Sequence, residues 1–154
     1  FFDKNRVFLL GYSTGSIAAM YTSVLDDRIA GMACFSGWTP LRDTSKEIAT
    51  GGNQRLWNLH ALQPKLGWFD DREAELPFDY KDLIAEILPK PCLIVTPKRD
   101  RFADHDAIKK AINQVRLNNP KKADAALTWI SPDGPNRFQV DQQKQFINWA
   151  NSIR

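Results

Sequence analysis

Residues 8–20, FLLGYSTGSIAAM, decide how this chain is read. An apolar run closes on Gly11-Tyr12, Ser13 stands between Gly11 and Gly15, and a small-residue segment follows. The run RVFLLGY at 6–12 suits a strand buried on both faces. From residue 14 to 27 the apolar residues Ile17, Met20, Tyr21, Val24 and Leu25 recur at helical spacing. Ser13 therefore sits on a tight strand-to-helix turn. Two questions follow: whether its hydroxyl is a nucleophile, and which of only two histidines, His60 or His105, would activate it.

Working outward, IAGMACFSG at 29–37, PCLIVTP at 91–97 and ALTWIS at 126–131 read as three more buried strands. Helical spacing covers 79–88 with Asp79 as cap, 104–119 with Asp104 as N-cap and Pro120 past its end, and 139–153. Residues 38–79 are irregular, aromatic-rich and broken by glycine and proline. A structureless loop of that length is uncommon in a compact domain, so an insertion with short helices, as at 53–62, is expected there. Strands alternating with helices give an α/β class with a mostly parallel sheet flanked by helices. The 154 residues suit a single domain.

Composition narrows the partners. The 21 basic and 18 acidic residues are scattered together, for a net charge of +3. No basic stripe forms, so nucleic acid is not expected as a partner. The short runs PKRDR (97–101) and PKK (120–122) read as solvated loop ends. No apolar run approaches the ~20 residues of a membrane span. Cys34 and Cys92 lie in strand-like runs and read as buried thiols. Asp104, His105 and Asp106 are adjacent on a helix and point in different directions, so no metal site is expected. Gly51-Gly52 lacks the lysine of a phosphate loop, and no cofactor is expected.

The G-x-S-x-G turn in a strand–turn–helix context is the pattern of a nucleophile elbow, which pushes the serine hydroxyl out of the chain. On that reading Gly11 and Gly15 fill places where a side chain would collide, and Ala18 and Ala19 let the helix pack closely. The backbone N–H of Thr14, at the helix start, is placed to stabilise an oxyanion. Asp100, after the strand at 91–97, holds the position of an acid that orients a histidine. Pairing with Arg99 or Arg101, or capping of a turn, is its alternative. The histidine itself should follow the strand at 126–131. The sequence there is SPDGPNRFQ, where Asn136 or its neighbour Pro135 takes the slot. Asparagine forms hydrogen bonds but cannot accept the serine proton as a general base. His60, in the insertion, is the candidate replacement if the insertion roofs the site; packing beside Trp57 and Leu59 is its alternative. His105, five residues past Asp100, is expected to be exposed. Trp38, Trp57, Trp68, Phe69 and Phe78 either line a substrate pocket or pack in the core.

The segments DKNRVFLLGYSTGS, DDRIAGMACFSGWTP, LHALQPKLGWF, PFDYKDLIAEILPKPCLIVTPKRDRFAD and PDGPNRFQ…FINWA carry a resemblance over nearly the whole chain. It resembles the C-terminal half of an α/β-hydrolase, near the dienelactone-hydrolase and acetyl-xylan-esterase-like branch. The LQPKLGWF and NRF pieces are similar to a bacterial subgroup. The resemblance implies that the first strands of the fold, with the loop donating a second oxyanion N–H, precede residue 1. The chain is then expected to be a fragment, or one half of a two-chain assembly, and the base could come from that other half. A serine hydrolase acting on small-molecule carboxylic esters, including carbohydrate or small acyl esters, is the implied function. The alternative is a pseudo-hydrolase: a binding or structural domain that kept the turn and lost the base, as Asn136 suggests.

Overall fold

The computed structural model describes residues 3–43, 52–53, 57 and 63–153. Four strands, β1 (Val7–Tyr12), β2 (Ile29–Phe35), β3 (Cys92–Val95) and β4 (Leu127–Ile130), pair in parallel in the order β1-β2-β3-β4. Each strand is the neighbour of the one before it. Among the described residues the helices that connect and close them are α1 (Thr14–Leu25), α2 (Tyr80–Ile87), α3 (His105–Asn118), α4 (Pro120–Ala126) and α5 (Val140–Ser152). Short 3-10 turns at Pro64–Phe69 and Glu73–Glu75 lie within the expected insertion. Of the short helix expected at 53–62, all but residues 53 and 57 fall outside the described residues, as does His60.

The strands alternate their side chains between two cores, as a period of two requires. Met32, Cys34, Cys92 and Ile94 join Ile17 and Met20 of α1, Ile84 and Ile87 of α2, and Ile108, Ile112 and Val115 of α3. Ala33, Phe35, Leu93 and Val95 face the other way, against Phe138 and against Phe146 and Trp149 of α5. The result is three layers, helix on sheet on helix. Cys34 and Cys92 are free and buried, and burial pushes the Cys34 thiol up to about 12.

Helix ends follow the expected caps. The Asp79 carboxylate accepts the Tyr80 N–H at the start of α2, and also the N–H groups of Leu41 (2.7 Å) and Arg42 (3.1 Å). Asp104 accepts the Ala107 N–H at the start of α3, while its own N–H donates to Thr39 Oγ1. Two aspartates, one through its carboxylate and one through its backbone N–H, thus tie the chain leaving β2 to the first turns of α2 and α3. Pro120 lies past the end of α3, as expected, and is also the first residue of α4, where a proline lacking an N–H costs nothing.

β1 stands at the sheet edge. Leu10 and Tyr12 each keep 39% of their surface exposed, whereas β3 is buried throughout.

Candidate active site

The turn between β1 and α1 puts Ser13 at φ 53°, ψ −127°. A residue with a side chain rarely adopts such a backbone, at a cost of about 1–3 kcal/mol. The surroundings hold it there. The Ser13 N–H donates to Phe35 O (2.9 Å), and the Ser16 N–H donates to Ser13 O (2.8 Å). The Ser16 hydroxyl, fully buried, reaches both Gly11 O (3.0 Å) and Phe35 O (3.2 Å). Ser16 therefore clamps the turn from beneath, and the G-x-S-x-G pattern alone does not point to it.

Sterics at the three nearby glycines are unequal. A Cβ on Gly11 would lie 2.4 Å from Gly15 O, so no side chain fits. Gly37, at φ +86°, passes so close that a Cβ would come within 2.1 Å of the Ser13 carbonyl. Among the described residues nothing lies within 4 Å of a Cβ placed on Gly15. The expectation that both flanking glycines avoid collisions thus holds for Gly11 and fails for Gly15. Ala19 is buried as expected, but Ala18 is exposed.

The carboxyl ends of the strands are stitched in sequence. The Ser13 N–H reaches Phe35 O, the Ser36 N–H reaches Val95 O, and the Thr96 N–H reaches Ile130 O, all at 2.9 Å. Ser13 thus shares one sheet edge with the loops that follow β3 and β4, where reactive groups of parallel sheets gather. Asp100 lies in the first of these loops and is only 7% exposed. Its Oδ1 accepts the Phe102 N–H (2.9 Å), so the turn-capping alternative holds for one oxygen. Arg99 pairs instead with Asp133 (3.1 Å), and the Arg101 guanidinium lies 4.5 Å over the Phe102 ring. Asp100 Oδ2 is buried with no hydrogen-bond partner among the described residues.

The loop after β4 is zipped onto the loop carrying Asp100. The N–H groups of Lys98 and Arg99 donate to Pro132 O (2.9 Å) and Gly134 O (3.0 Å). The chain then runs to Phe138, whose ring stacks on Tyr12 at 5.3 Å and meets Phe35 edge-on at 5.2 Å. Asn136 lies midway between these anchors, one beside Asp100 and the other beside Ser13. Its Oδ1 is also buried and unpartnered among the described residues.

His105 is not brought to Ser13. Its Nε2 lies 2.5 Å from Ser131 Oγ at the end of β4, and its ring stacks on Trp129 at 6.1 Å. β4 is the far edge of the sheet, three strands from β1. The ring is also largely covered, with 19% of the side chain exposed, where an exposed histidine was expected. Thr14 opens α1, and first-turn N–H groups have no partner within their own helix. Beside it, Thr14, Gly15, Ile17, Ala18, Tyr21 and Gln63 line a groove of about 360 Å³. The Tyr21 hydroxyl donates to Gln63 Oε1 there, and burial pushes its pKa up. The aromatic residues divide: Trp38 is fully buried against Tyr80, Trp57, Phe69 and Phe78 pack on the core, and Trp68 is 77% exposed. No group of side chains able to hold a metal ion occurs among the described residues. No helix among them is long and apolar enough to cross a membrane.

No protein-family model and no curated protein matches the chain. Solved structures do. A promiscuous CE15 esterase from the marine bacterial metagenome superposes with a TM-score of 0.81 at 17% identity, over 99% of this chain and 43% of that one. A carbohydrate esterase family 15 glucuronoyl esterase from Caldicellulosiruptor kristjansonii gives a TM-score of 0.78 at 19% identity, over 99% and 45%. A Pyrococcus furiosus esterase gives 0.55 at 14% identity, over 97% and 51%. The fold is that of the α/β-hydrolases, in part: the chain spans less than half the length of the two CE15 enzymes.

Proposed function

We propose that this chain carries the nucleophile side of a serine esterase acting on carboxylic esters. The observation that carries the reading is Ser13, strained at φ 53° on the turn between β1 and α1, on the sheet edge that also holds the buried Asp100. Strain of this kind persists where the surroundings enforce it, and it favours a presented hydroxyl. That these structural neighbours are esterases supports the reaction class. In the proposed reaction Ser13 Oγ bonds to the ester carbonyl carbon, and its proton passes to a general base. The Thr14 N–H faces the oxyanion that develops, and the alcohol leaves with a proton returned by the base. Water then attacks the acyl-serine by the same route and releases the acid. Asp100 orients the base, and His60, outside the described residues, is the candidate for it in this chain. Further polypeptide completing the domain would add the second oxyanion donor.

A second reading rests on Asn136: a binding or structural domain in which the turn persists without turnover. Fluorophosphonate labelling, located by mass spectrometry, separates the two. The esterase reading expects a label on Ser13 that disappears in Ser13→Ala and falls by ~10²-fold in His60→Ala. A folded chain that takes no label on Ser13 would leave the binding role.

A further inference from the structure

We propose that Ser16 is a positioning residue for Ser13: its buried hydroxyl joins the backbone of the turn to two strands at once and sets the direction in which Ser13 Oγ is presented. The inference rests on the esterase reading and adds to it a residue that acts through Ser13 without touching substrate. Ser16 is fully buried, and each of its polar atoms is engaged around the turn. Its N–H donates to Ser13 O (2.8 Å), its carbonyl accepts the Cys34 thiol (3.4 Å), and its hydroxyl lies 3.0 Å from Gly11 O and 3.2 Å from Phe35 O. Phe35 O is the same atom that accepts the Ser13 N–H at 2.9 Å. One residue of α1 thus reaches the end of β1, the end of β2 and Ser13 itself.

A serine hydroxyl has one proton, so the two carbonyls share it or take it in turn. Either way it closes a bracket from Gly11 to Ser16 with the strained residue inside. A backbone at φ 53° persists only where its surroundings over-determine it. An alanine at 16 would face the two carbonyls with a methyl group, and the turn could relax toward ordinary backbone angles. Ser13 Oγ would move with it. Attack needs the hydroxyl at a fixed distance and angle to the ester carbon, so the rate falls steeply with such a displacement while substrate contacts elsewhere are kept. The same helix carries its own comparison. Ser23 of α1 is equally buried, and its hydroxyl has no partner among the described residues. It is the same group at the same depth with nothing to hold.

The test uses the full chain. Fluorophosphonate labelling of Ser13 and p-nitrophenyl acetate hydrolysis are measured per folded molecule, well below the unfolding midpoint. Ser16→Ala is expected to lower the labelling rate and kcat by ~10- to 10²-fold and to leave KM within about twofold. Ser23→Ala should keep the wild-type rate, although it removes an equally buried hydroxyl. Ser16→Cys nearly keeps the volume but offers a weak donor, so its rate should fall between the two. A hydroxyl that only stabilised the fold would shift the midpoint and spare the rate per folded molecule. A wild-type rate in Ser16→Ala, or an equal loss in Ser23→Ala, therefore overturns the positioning role and leaves the esterase reading standing. If Ser16→Ala does not fold, Ser16→Cys decides alone: a lowered kcat at constant KM supports the role, and a wild-type rate overturns it. A wild-type chain that takes no label on Ser13 overturns the esterase reading, and this inference with it.

Discussion

At the scale of single residues, the turn at Ser13 is held by atoms distant in sequence. Gly11 and Ser16 act locally, but Gly37, 24 positions on, leaves the room in which the Ser13 carbonyl sits. A Cβ there would both clash at 2.1 Å and oppose φ +86°. Gly37→Ala should therefore lower stability by about 3 kcal/mol or more, seen as an earlier urea midpoint. Gly15→Ala, in open space on a helix, should change it by less than about 1 kcal/mol, in the stabilising direction. Equal costs at the two positions would sink this account of the turn. That Ser13 and Asp100 lie on one sheet edge is legible in the sequence because Ser13 directly follows one continuous apolar run and Asp100 lies in the loop after another. Gly37 is not, since a close approach between two loops leaves no period to read. Gly15 shows the opposite error, a glycine that the pattern contains but sterics here do not demand.

At the scale of elements, the strands and long helices are legible because burial on both faces and amphipathic spacing each leave a distinct pattern. α4 escapes the sequence pattern because Pro120 marks the end of the preceding helix equally well, while a proline also opens helices well. The caps are read correctly, but their reach is not. Asp79, 2% exposed, serves α2 and at the same time receives the N–H groups of Leu41 and Arg42 from the chain beyond β2. Asp79→Ala would strip acceptors from three backbone donors, and a cost of about 2–4 kcal/mol in chemical denaturation is expected. A loss below about 1 kcal/mol would mean that solvent replaces the carboxylate easily. Asp79→Asn, which keeps an acceptor oxygen, should fall between the two.

For the whole molecule, the four-stranded sheet is complete on one side of β1 only. The N–H groups of β1 that point away from β2 have no strand to meet among the described residues, and Leu10 and Tyr12 stay partly exposed beside them. Hydrogen exchange should find these amides open to solvent, ~10³-fold faster than those of β2, which exchange only when the sheet opens. Uniform protection of β1 and β2 would show that the edge is covered; loss of that protection in Leu10→Lys would identify self-association as the cover. The parallel α/β layout can be read from the alternation of elements. The partial coverage of the fold emerges from the resemblance and from the solved structures, because no local pattern reports what lies beyond a sheet edge. One consequence of the strand order remains. Since β2, β3 and β4 each lie against the strand before, none of the described strands must be inserted between two that are already joined. A nascent chain emerging from the ribosome can add each strand–helix unit to a finished template in the order of translation, and the loops that meet at Ser13 are then completed last, once the final strand has docked.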